Sequence, residues 1–318
     1  MAEAPIMSVV LPTDKFETIR PVLERLLQQT VKDRLEVVLV APSAEAVNAA
    51  LMYDGAFAAI QIVTMRSISP LGRARAAGAR AAKAPLVFIG ETHAYPHPRF
   101  AEMIINAHAG PWAAVTPAFL NGNNPKGAFS WSAFLIHYGR WAEGLPAGEI
   151  AEAPSHDVAF KREMLLELGD RLETAFDFGD EMPIWMRARG HRVYFEPAAR
   201  IDHVNVSRPN AWVRERFLIG AMIAALRARE WSKARRWAYV GGAALIPMVL
   251  MWRIVPGVRR TSQHLRLPWS TLPLIVLGLF MQAAGELAGY AGVSVDTAER
   301  AMHDYEINRL AYIGRGER

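Results

Sequence analysis

Cysteine is missing from all 318 residues of the chain, so neither a disulfide nor a thiolate metal site can form. This lack suits a reducing compartment. The opening segment MAEAPIMSVVLP has no basic stretch ahead of an apolar run, so we expect no cleaved signal peptide. Internal repeats and low-complexity tracts are also absent from the sequence. A chain of this length without such features is expected to form one large domain with an appendage.

Acidic residues are scarce between residues 207 and 270, although the net charge of the whole chain is only +5. Twelve lysines and arginines lie there against Glu215 and Glu230, a local balance of 12 − 2 = +10. Aromatic residues interrupt the basic ones, and apolar runs follow directly. This combination favours lipid headgroups over a phosphodiester backbone, so we expect a membrane partner and no nucleic acid. The interleaved aromatic residues are Trp212, Phe217, Trp231 and Trp237.

Strand-like and helix-like segments alternate through the first 120 residues. Short apolar runs at residues 6–11, 35–40 and 86–89 are separated by helical patterns such as 17–29 and 72–84. This alternation predicts an α/β fold whose mostly parallel, Rossmann-like sheet is covered by helices on both faces. Ligands of such sheets bind beyond the carboxyl ends of the strands. Chemistry is therefore expected in the loops that follow these runs.

The loop after the run at residues 86–89 carries Glu91, Thr92 and His93. A carboxylate and an imidazole two residues apart on an extended loop can face the same way and share a divalent cation. The alternative is a polar loop that caps the helix beginning near Pro96.

Four segments in order follow the sequence pattern of one known family. SVVLPTDKFETIRPVLERLLQQ is similar to the opening strand, Pro-Thr pair and helix of that family. ARAAGARAAKAPLVFIGETHAYPHPRF resembles its Ala-Arg-Asn-x-Gly stretch followed by an Asp-x-Asp-type motif. SHDVAFKREMLLELG and RARGHRVYFEPAARIDHVNVSR resemble two later family segments. The chain thus resembles the family 2 glycosyltransferases, which have the GT-A fold, over about residues 8–208. The likeness implies a membrane-associated, bacterial-type sugar transferase.

The resemblance assigns roles to several positions. Pro12 and Thr13 would line the nucleotide pocket, and Arg75 would lie near the diphosphate, where a planar guanidinium suits phosphate oxygens. Glu91 and His93 align with the outer members of the Asp-x-Asp motif, with Thr92 between them. The family thus implies a divalent metal, Mn²⁺ or Mg²⁺, held by Glu91 and His93. For Arg75 the alternative is a solvated place on an alanine-rich helix.

The chain departs from the family pattern at two places. Ala41-Pro42-Ser43 occupies the position where the family usually has acidic residues that bind the nucleoside. Counting back from Gly190 puts the family's catalytic Glu-Asp pair on Phe178-Gly179, whereas the nearest acids are Asp180 and Glu181. We expect one of these two to be the general base, leaving open which. The alternative is an acidic helix N-terminus favoured by the macrodipole.

Three further residues are candidates for contact with the acceptor. His156 and Asp157 lie in the segment that resembles the family's Gly-x-Asn stretch, with Asp157 at the position of the asparagine. Trp131, on an aromatic-rich helix, would stack on a sugar or on a lipid-linked acceptor. The alternatives are a structural histidine and an aromatic core face.

Two apolar runs without a charge follow the basic stretch: fifteen residues at 238–252 and nineteen at 267–285. We expect domains at 1–206 (transferase), 207–237 (basic amphipathic helix), 238–292 (apolar membrane hairpin) and 293–318 (amphipathic tail). Four arginines between the runs favour a hairpin or in-plane helices entering from the cytoplasmic face over two spanning helices. The alternative is a pair of core helices.

The sequence as a whole predicts a membrane-associated hexosyltransferase with a cytoplasmic catalytic domain. It would move a sugar from a nucleotide-diphosphate donor to a lipid-linked or surface-glycan acceptor, inverting the anomeric centre by direct displacement. The rival interpretation is a catalytically degenerate domain that acts as a membrane-attached binding or scaffold protein. A homo-oligomer is compatible with the sequence, which does not set the oligomeric state.

Overall fold

The structure, a computed structural model, describes residues 4–177 and 180–317. The chain divides into two compact units. The sheet unit comprises Met1–Ala118 and Pro146–Asp202, and the helical unit comprises Phe119–Leu145 and His203–Arg318. The predicted domain boundaries, beginning with 1–206, stay a prediction; contacts between residues group 119–145 with the C-terminal helices.

Within the described residues the sheet has nine strands in the order β3-β2-β1-β4-β8-β6-β9-β5, with β7 paired to β9. The strands are β1 (Met7–Pro12), β2 (Leu35–Ala41), β3 (Ala59–Thr64), β4 (Leu86–Ile89), β5 (Ala94–Pro96), β6 (Ala114–Asn121), β7 (Gly148–Ile150), β8 (Val158–Lys161) and β9 (Val193–His203). Strands β3, β2, β1 and β4 are parallel neighbours, and β8 runs antiparallel to β4 and β6. The predicted α/β class, a mixed sheet flanked by helices with a helical C-terminal segment, is confirmed.

Twelve α-helices lie within the described residues. They are α1 (Phe16–Leu26), α2 (Leu71–Ala81), α3 (Phe100–Ala107), α4 (Ala128–His137), α5 (Arg162–Leu166), α6 (Leu172–Ala175), α7 (Glu181–Ala188), α8 (Pro209–Arg227), α9 (Lys233–Gly241), α10 (Ile246–His264), α11 (Thr271–Ala291) and α12 (Val295–Ile307). Every residue of β1, β2 and β4 is buried, as expected of strands covered on both faces. Helix α2 packs closely on this sheet, because a methyl group on Gly78 would lie 2.3 Å from Val10 Cγ1.

Helices α8 and α11 of the helical unit touch through their backbones. A methyl group added to Gly220 would lie 2.0 Å from the carbonyl oxygen of Gln282, and one added to Gly285 would lie 1.9 Å from that of Phe217. Glycine is therefore required at both positions for this close approach. Small residues serve the same purpose wherever two helices pack at short distance.

One helix was predicted over residues 207–237, but the structure has two, α8 and α9. Ser232 begins the second helix because its hydroxyl accepts a hydrogen bond from the backbone N–H of Arg235. Helix α8 is also far more buried than a surface helix. The buried side chain of Glu215 accepts hydrogen bonds from Arg216 and Arg309, both at 2.8 Å. Part of the basic stretch is thus neutralised inside the protein instead of facing solvent.

By length and composition, α11 is the single helix among the described residues that is long and apolar enough to cross a membrane. Helix α9 and residues 243–264 pass the same test together, although they are bent by 49°. Less than half of the apolar stretch of α11 is buried, and α10 is more exposed. Large apolar side chains on these helices and their connection, Trp237, Met248, Trp252, Trp269 and Phe280 among them, are more than half exposed.

Candidate active site

The pairing of β4 with β8 brings together two loops that are far apart in the sequence. The antiparallel register matches Ile89 with Val158 at the end of β4. Continuing this register by two residues places Glu91 opposite His156. Because successive residues alternate across a strand, this register also fixes which side chains of the two loops meet. The predicted location, a loop beyond the carboxyl end of a buried strand, is the one observed.

The carboxylate of Glu91 is the centre of a buried polar cluster. Its Oε1 lies 3.1 Å from Arg75 Nη2 and 3.3 Å from His156 Nε2, while its Oε2 lies 3.3 Å from His93 Nε2. No side chain in this group is more than a tenth exposed. Arg75 also donates to the carbonyl oxygen of Phe176 at 3.0 Å. The guanidinium therefore reaches the cluster from α2 and ties it to the segment after α6.

Asp157 joins the cluster through an unusual backbone conformation. It is fully buried, and its φ of 53° lies in the left-handed region that aspartate tolerates better than most residues. Its backbone N–H donates to the carbonyl oxygen of Ile89 at 2.6 Å, which anchors it to the end of β4. Strained conformations of this kind are concentrated at functional sites.

Glu91, His156 and Asp157 form a group that can hold a metal ion, because one ligand atom from each lies within 4.8 Å of the others. Two carboxylates and an imidazole suit a divalent cation such as Mn²⁺. With the histidines neutral, Glu91, Asp157 and Arg75 together carry −2 + 1 = −1. Arg75 therefore offsets part of the negative charge without removing it. We name Glu91, His93, His156, Asp157 and Arg75 the Glu91 cluster.

Of the other predicted residues of the sheet unit, Thr92 is buried beside His93, with 3.4 Å between Thr92 Oγ1 and His93 Nδ1. Pro12 and Thr13 lie at the carboxyl end of β1, where the backbone N–H of Thr13 donates to Val40 at 2.9 Å. The Thr13 hydroxyl donates to the carbonyl oxygen of Lys15. This places Pro12 and Thr13 on the same edge of the parallel strands as Glu91.

The two acids proposed as the general base lie at the start of α7. Asp180 precedes the helix as its N-cap residue, and Glu181 is its first residue. Glu181 accepts a hydrogen bond from Arg171 Nε at 2.9 Å, and the Arg171 side chain is exposed. The alternative positions for the family pair, Phe178-Gly179, lie outside the described residues. The role of the acids as base stays a prediction.

Trp131 belongs to the helical unit. Its ring is buried and makes an edge-to-face contact with Phe134, with 5.7 Å between the ring centroids. Lys126 Nζ lies 5.9 Å from the centre of the indole. The packing accords with the core alternative, although one face of the residue also lines a cavity.

Sequence reasoning placed the metal on Glu91 and His93 and assigned His156 and Asp157 to the acceptor. Within the sheet unit, Glu91 forms a group that can hold a metal with His156 and Asp157, and His93 Nε2 lies 3.3 Å from the other carboxylate oxygen of Glu91. The assignment of the metal to Glu91 and His93 stays a prediction. The signal for the grouping with His156 and Asp157 was the polar His-Asp pair directly before an apolar run. Reading that signal requires knowing that the run pairs antiparallel with β4.

Comparison with known proteins finds no matching family model and no matching curated protein. Among solved structures, one similar chain is GalNAc-T7, crystallised with UDP, GalNAc and Mn²⁺. The identity is 15% and the TM-score 0.49, and the match covers 63% of this chain and 43% of GalNAc-T7, so this chain spans less than half of that protein.

A second similar structure is the mannosyltransferase PcManGT from Pyrobaculum calidifontis in complex with GDP-Man and Mn²⁺. Here the identity is 18% and the TM-score 0.49, over 96% of this chain and 87% of the other. With identities and TM-scores this low, neither likeness assigns an activity to this chain.

Proposed function

We propose that this protein is a glycosyltransferase that moves a sugar from a nucleotide-diphosphate donor. The observation that carries the proposal is the Glu91 cluster at the carboxyl end of β4. Buried carboxylates, two histidines and an arginine converge there, at the edge of a sheet where α/β proteins bind their ligands. The ordered resemblance of residues 8–208 to family 2 glycosyltransferases supports the same conclusion.

The roles of the binding residues follow from their positions. Pro12 and Thr13, at the end of β1, would contact the nucleoside, and Thr92 would contact the donor beside Glu91. Arg75 already contacts Glu91 and would share its guanidinium with a phosphate oxygen. A guanidinium has five N–H donors in a planar fork, so it can serve a carboxylate and a phosphate together.

The donor set of Glu91, His156 and Asp157 fits Mn²⁺ or Mg²⁺, with His93 on the second oxygen of Glu91. When bound, such an ion supplies positive charge against the charge that develops on the leaving diphosphate. The chain itself holds the carboxylates in place. The pairing of β4 with β8 and the anchored backbone of Asp157 fix their positions before any ligand arrives.

For the transfer step we propose Asp180 or Glu181 as the base that takes the proton of the acceptor hydroxyl. Direct attack by that hydroxyl on the anomeric carbon would invert the configuration. The proton passes to the carboxylate, the glycosidic oxygen leaves with the nucleotide diphosphate, and no covalent sugar–enzyme bond is formed. Hexosyl transfer is the form of this reaction that the family resemblance implies.

We further propose a membrane-linked acceptor and a cytoplasmic catalytic domain resting on the bilayer. The exposed apolar side chains of α9, α10 and α11 support contact with lipid, since soluble proteins rarely leave so many large apolar groups together in water. Arginines of α10 and of the segment after it would lie at the headgroups. Adsorption of the full chain to anionic vesicles, which should weaken as the salt concentration rises, tests this part separately.

The transfer is tested by incubating the purified full chain with Mn²⁺ and a panel of nucleotide sugars that includes UDP-GalNAc and GDP-mannose. Saturable binding of at least one donor by calorimetry, followed by release of the nucleoside diphosphate, is the expected result. Glu102→Gln is the matched control for Glu91→Gln, because Glu102 pairs with Arg99 and Thr30 away from the cluster. Absence of binding and hydrolysis across the panel would contradict the proposal.

A second candidate function is a degenerate transferase domain that acts as a membrane-attached scaffold. One contact favours it: Arg75 is bonded to the carboxylate that would have to hold the metal, at 3.1 Å. The lack of acidic residues at Ala41-Pro42-Ser43 and the shifted position of Asp180 and Glu181 also favour a scaffold. A scaffold would bind neither Mn²⁺ nor nucleotide saturably in wild type, and Glu91→Gln would change nothing.

A further inference from the structure

A groove between α10 and α11 within the helical unit is formed by two spaces that share lining residues. Its main part has a volume of about 980 Å³, and an apolar extension of about 440 Å³ shares Met251, Val255 and Val276 with it. At the other end a cavity of about 270 Å³ shares His264 and Leu265 with the main part. We call these three adjoining spaces the interhelical groove.

The groove is apolar at one end. Met248, Trp252 and Phe280 line the extension and are 69%, 79% and 55% exposed. Exposing side chains of this size to water is unfavourable, so we expect an apolar ligand or lipid to cover them in the functional protein. The residues that line the groove extend from Pro247 to His264 on α10 and from Leu272 to Phe280 on α11, which suits an extended hydrocarbon chain better than a compact ligand.

The opposite end of the groove is basic. Arg259, Arg266 and His264 line the main part, and no acidic side chain is found among the described residues that line it. The adjoining small cavity adds Lys126 and the buried Thr261, with Glu143 in the same wall. The hydroxyl of Thr261, a residue only 4% exposed, makes no hydrogen bond within residues 4–177 and 180–317. A buried hydroxyl without a partner is costly unless a ligand or water satisfies it.

We propose that the interhelical groove binds a phosphate-headed lipid. Its hydrocarbon chain lies along Met251, Val255 and Val276, and its phosphate lies at the basic end beside Arg259 and His264. Charge complementarity selects this occupant: an uncharged lipid would leave the basic end without a partner, and a free anion would leave the apolar end uncovered. The identification of this lipid with the sugar acceptor rests on the proposed transferase function, whereas the binding site itself does not.

The test is native mass spectrometry of the full chain in detergent micelles with dioleoyl phosphatidic acid as the probe. Dioleoylglycerol has the same chains without the phosphate, and inorganic phosphate has the charge without the chains. Val276→Trp fills the groove, and Leu277→Trp is its matched control, because both residues are 43% exposed but Leu277 does not line the groove. Arg259→Gln removes a charge from the groove, and Arg253→Gln removes an exposed charge from the same helix outside it.

Phosphatidic acid should bind at least about tenfold more tightly than dioleoylglycerol, as expected for charge-assisted hydrogen bonds in a partly buried site. Val276→Trp and Arg259→Gln should each weaken its binding about tenfold, and both controls should leave it unchanged. Thermal melts of the four variants, measured alongside, separate lost binding from lost folding.

Several results would overturn the inference. Equal binding of both lipids, or equal effects of the two tryptophan variants, would indicate unspecific adsorption to the exposed helices. Full displacement by inorganic phosphate would indicate a free-anion site, and a Val276→Trp variant that loses a dimer but keeps the lipid would indicate a protein interface. A wild type that binds a nucleotide sugar but not phosphatidic acid contradicts this inference alone. A wild type that binds phosphatidic acid but no nucleotide sugar contradicts the proposed transferase alone.

Discussion

Glu91 and His156 lie side by side, with 3.3 Å between the carboxylate Oε1 and the imidazole Nε2. The antiparallel pairing of β4 with β8 produces this contact, because the register that joins Ile89 to Val158 continues into the loops beyond both strands. Arg75 then adds a cation at 3.1 Å from the same carboxylate oxygen. The chemistry proposed for the protein depends on this small group, and each of its contacts gives a separate test.

Breaking the ion pair between Arg75 and Glu91 should destabilise the protein strongly. Arg75→Met leaves a buried carboxylate without its guanidinium, which costs about 3 kcal/mol or more in the free energy of unfolding. Glu91→Gln should lower the free energy of unfolding less in the Arg75→Met background than in the wild type. In that background the substitution removes the unpaired Glu91 carboxylate. Urea denaturation of the two single variants and the double variant measures this coupling.

The matched control is Arg73→Met on the same helix. Arg73 also pairs with a carboxylate, that of Glu173 at 3.4 Å, but its side chain is 59% exposed. Exposed ion pairs contribute little to stability. If the free energy of unfolding falls equally in the Arg73→Met and Arg75→Met variants, burial does not make the Arg75–Glu91 pair more important for stability.

Much of the sheet was predictable from the sequence, because β1, β2 and β4 are buried on both faces and their sequences are almost entirely apolar. The place of Glu91 followed from the same pattern. The neighbours of Glu91 did not, because His156 and Asp157 reach it through pairing between strands distant in the chain. Local periodicity indicates which face of a strand is buried, but it does not identify the distant strand with which that strand pairs.

The C-terminal helices show a second limit. A basic, apolar stretch was interpreted as one lipid-facing helix, but Arg216 is buried in an ion pair with Glu215. Charge counting does not reveal which arginines are buried together with a carboxylate. The break between α8 and α9 was also missed, because the prediction of one helix over 207–237 did not consider Ser232 as an N-cap, where its hydroxyl accepts from the backbone N–H of Arg235.

The contact between α8 and α11 should not tolerate a single added methyl group. In Gly220→Ala the new carbon would meet the Gln282 carbonyl oxygen at 2.0 Å, so the helices must separate, at a cost of about 3 kcal/mol. Gly241→Ala on α9 is the control, since nothing lies within 4 Å of its new methyl group. Because alanine favours helices, that variant should gain up to about 1 kcal/mol. Melting temperatures in detergent that fall equally for both variants would contradict this packing.

Asp157 offers a way to remove charge from the Glu91 cluster while keeping the backbone. Asparagine tolerates the left-handed conformation at φ 53° about as well as aspartate, so Asp157→Asn should fold normally. It should nevertheless bind Mn²⁺ at least about tenfold more weakly, a loss of about 1.4 kcal/mol. Asp157→Val should lose stability instead, because a β-branched residue does not adopt this backbone. Unchanged Mn²⁺ affinity in the folded Asp157→Asn variant would exclude Asp157 as a ligand.

Stability should decline in acid partly through His108. Burial lowers the pKa of this imidazole from 6.5 to about 4, and its Nε2 lies 3.2 Å from the carbonyl oxygen of Ala159. Well above pH 6.5 the residue is neutral in both the folded and the unfolded state. As the pH falls from there towards 4, only the unfolded chain takes up the proton, so folding loses up to about 3 kcal/mol.

His108→Gln keeps a hydrogen-bond donor but cannot be protonated in this range. Its free energy of unfolding should therefore depend less on pH between 6.5 and 4 than that of the wild type. Urea titrations of both proteins at the two ends of this range give the comparison. Identical pH dependence would mean that His108 is accessible to protons in the folded protein.

The central claim, that the Glu91 cluster is a divalent-cation site serving a nucleotide diphosphate, is tested most directly by electron paramagnetic resonance of Mn²⁺. Free Mn²⁺ is titrated into wild type, Glu91→Gln and Glu102→Gln, each with and without UDP or GDP. We predict one saturable site in wild type and in Glu102→Gln, tightened by the nucleotide, and at least about a tenfold loss in Glu91→Gln, or about 1.4 kcal/mol. A wild type that binds no Mn²⁺ with or without nucleotide, or a Glu91→Gln variant that binds it as the wild type does, would contradict the claim.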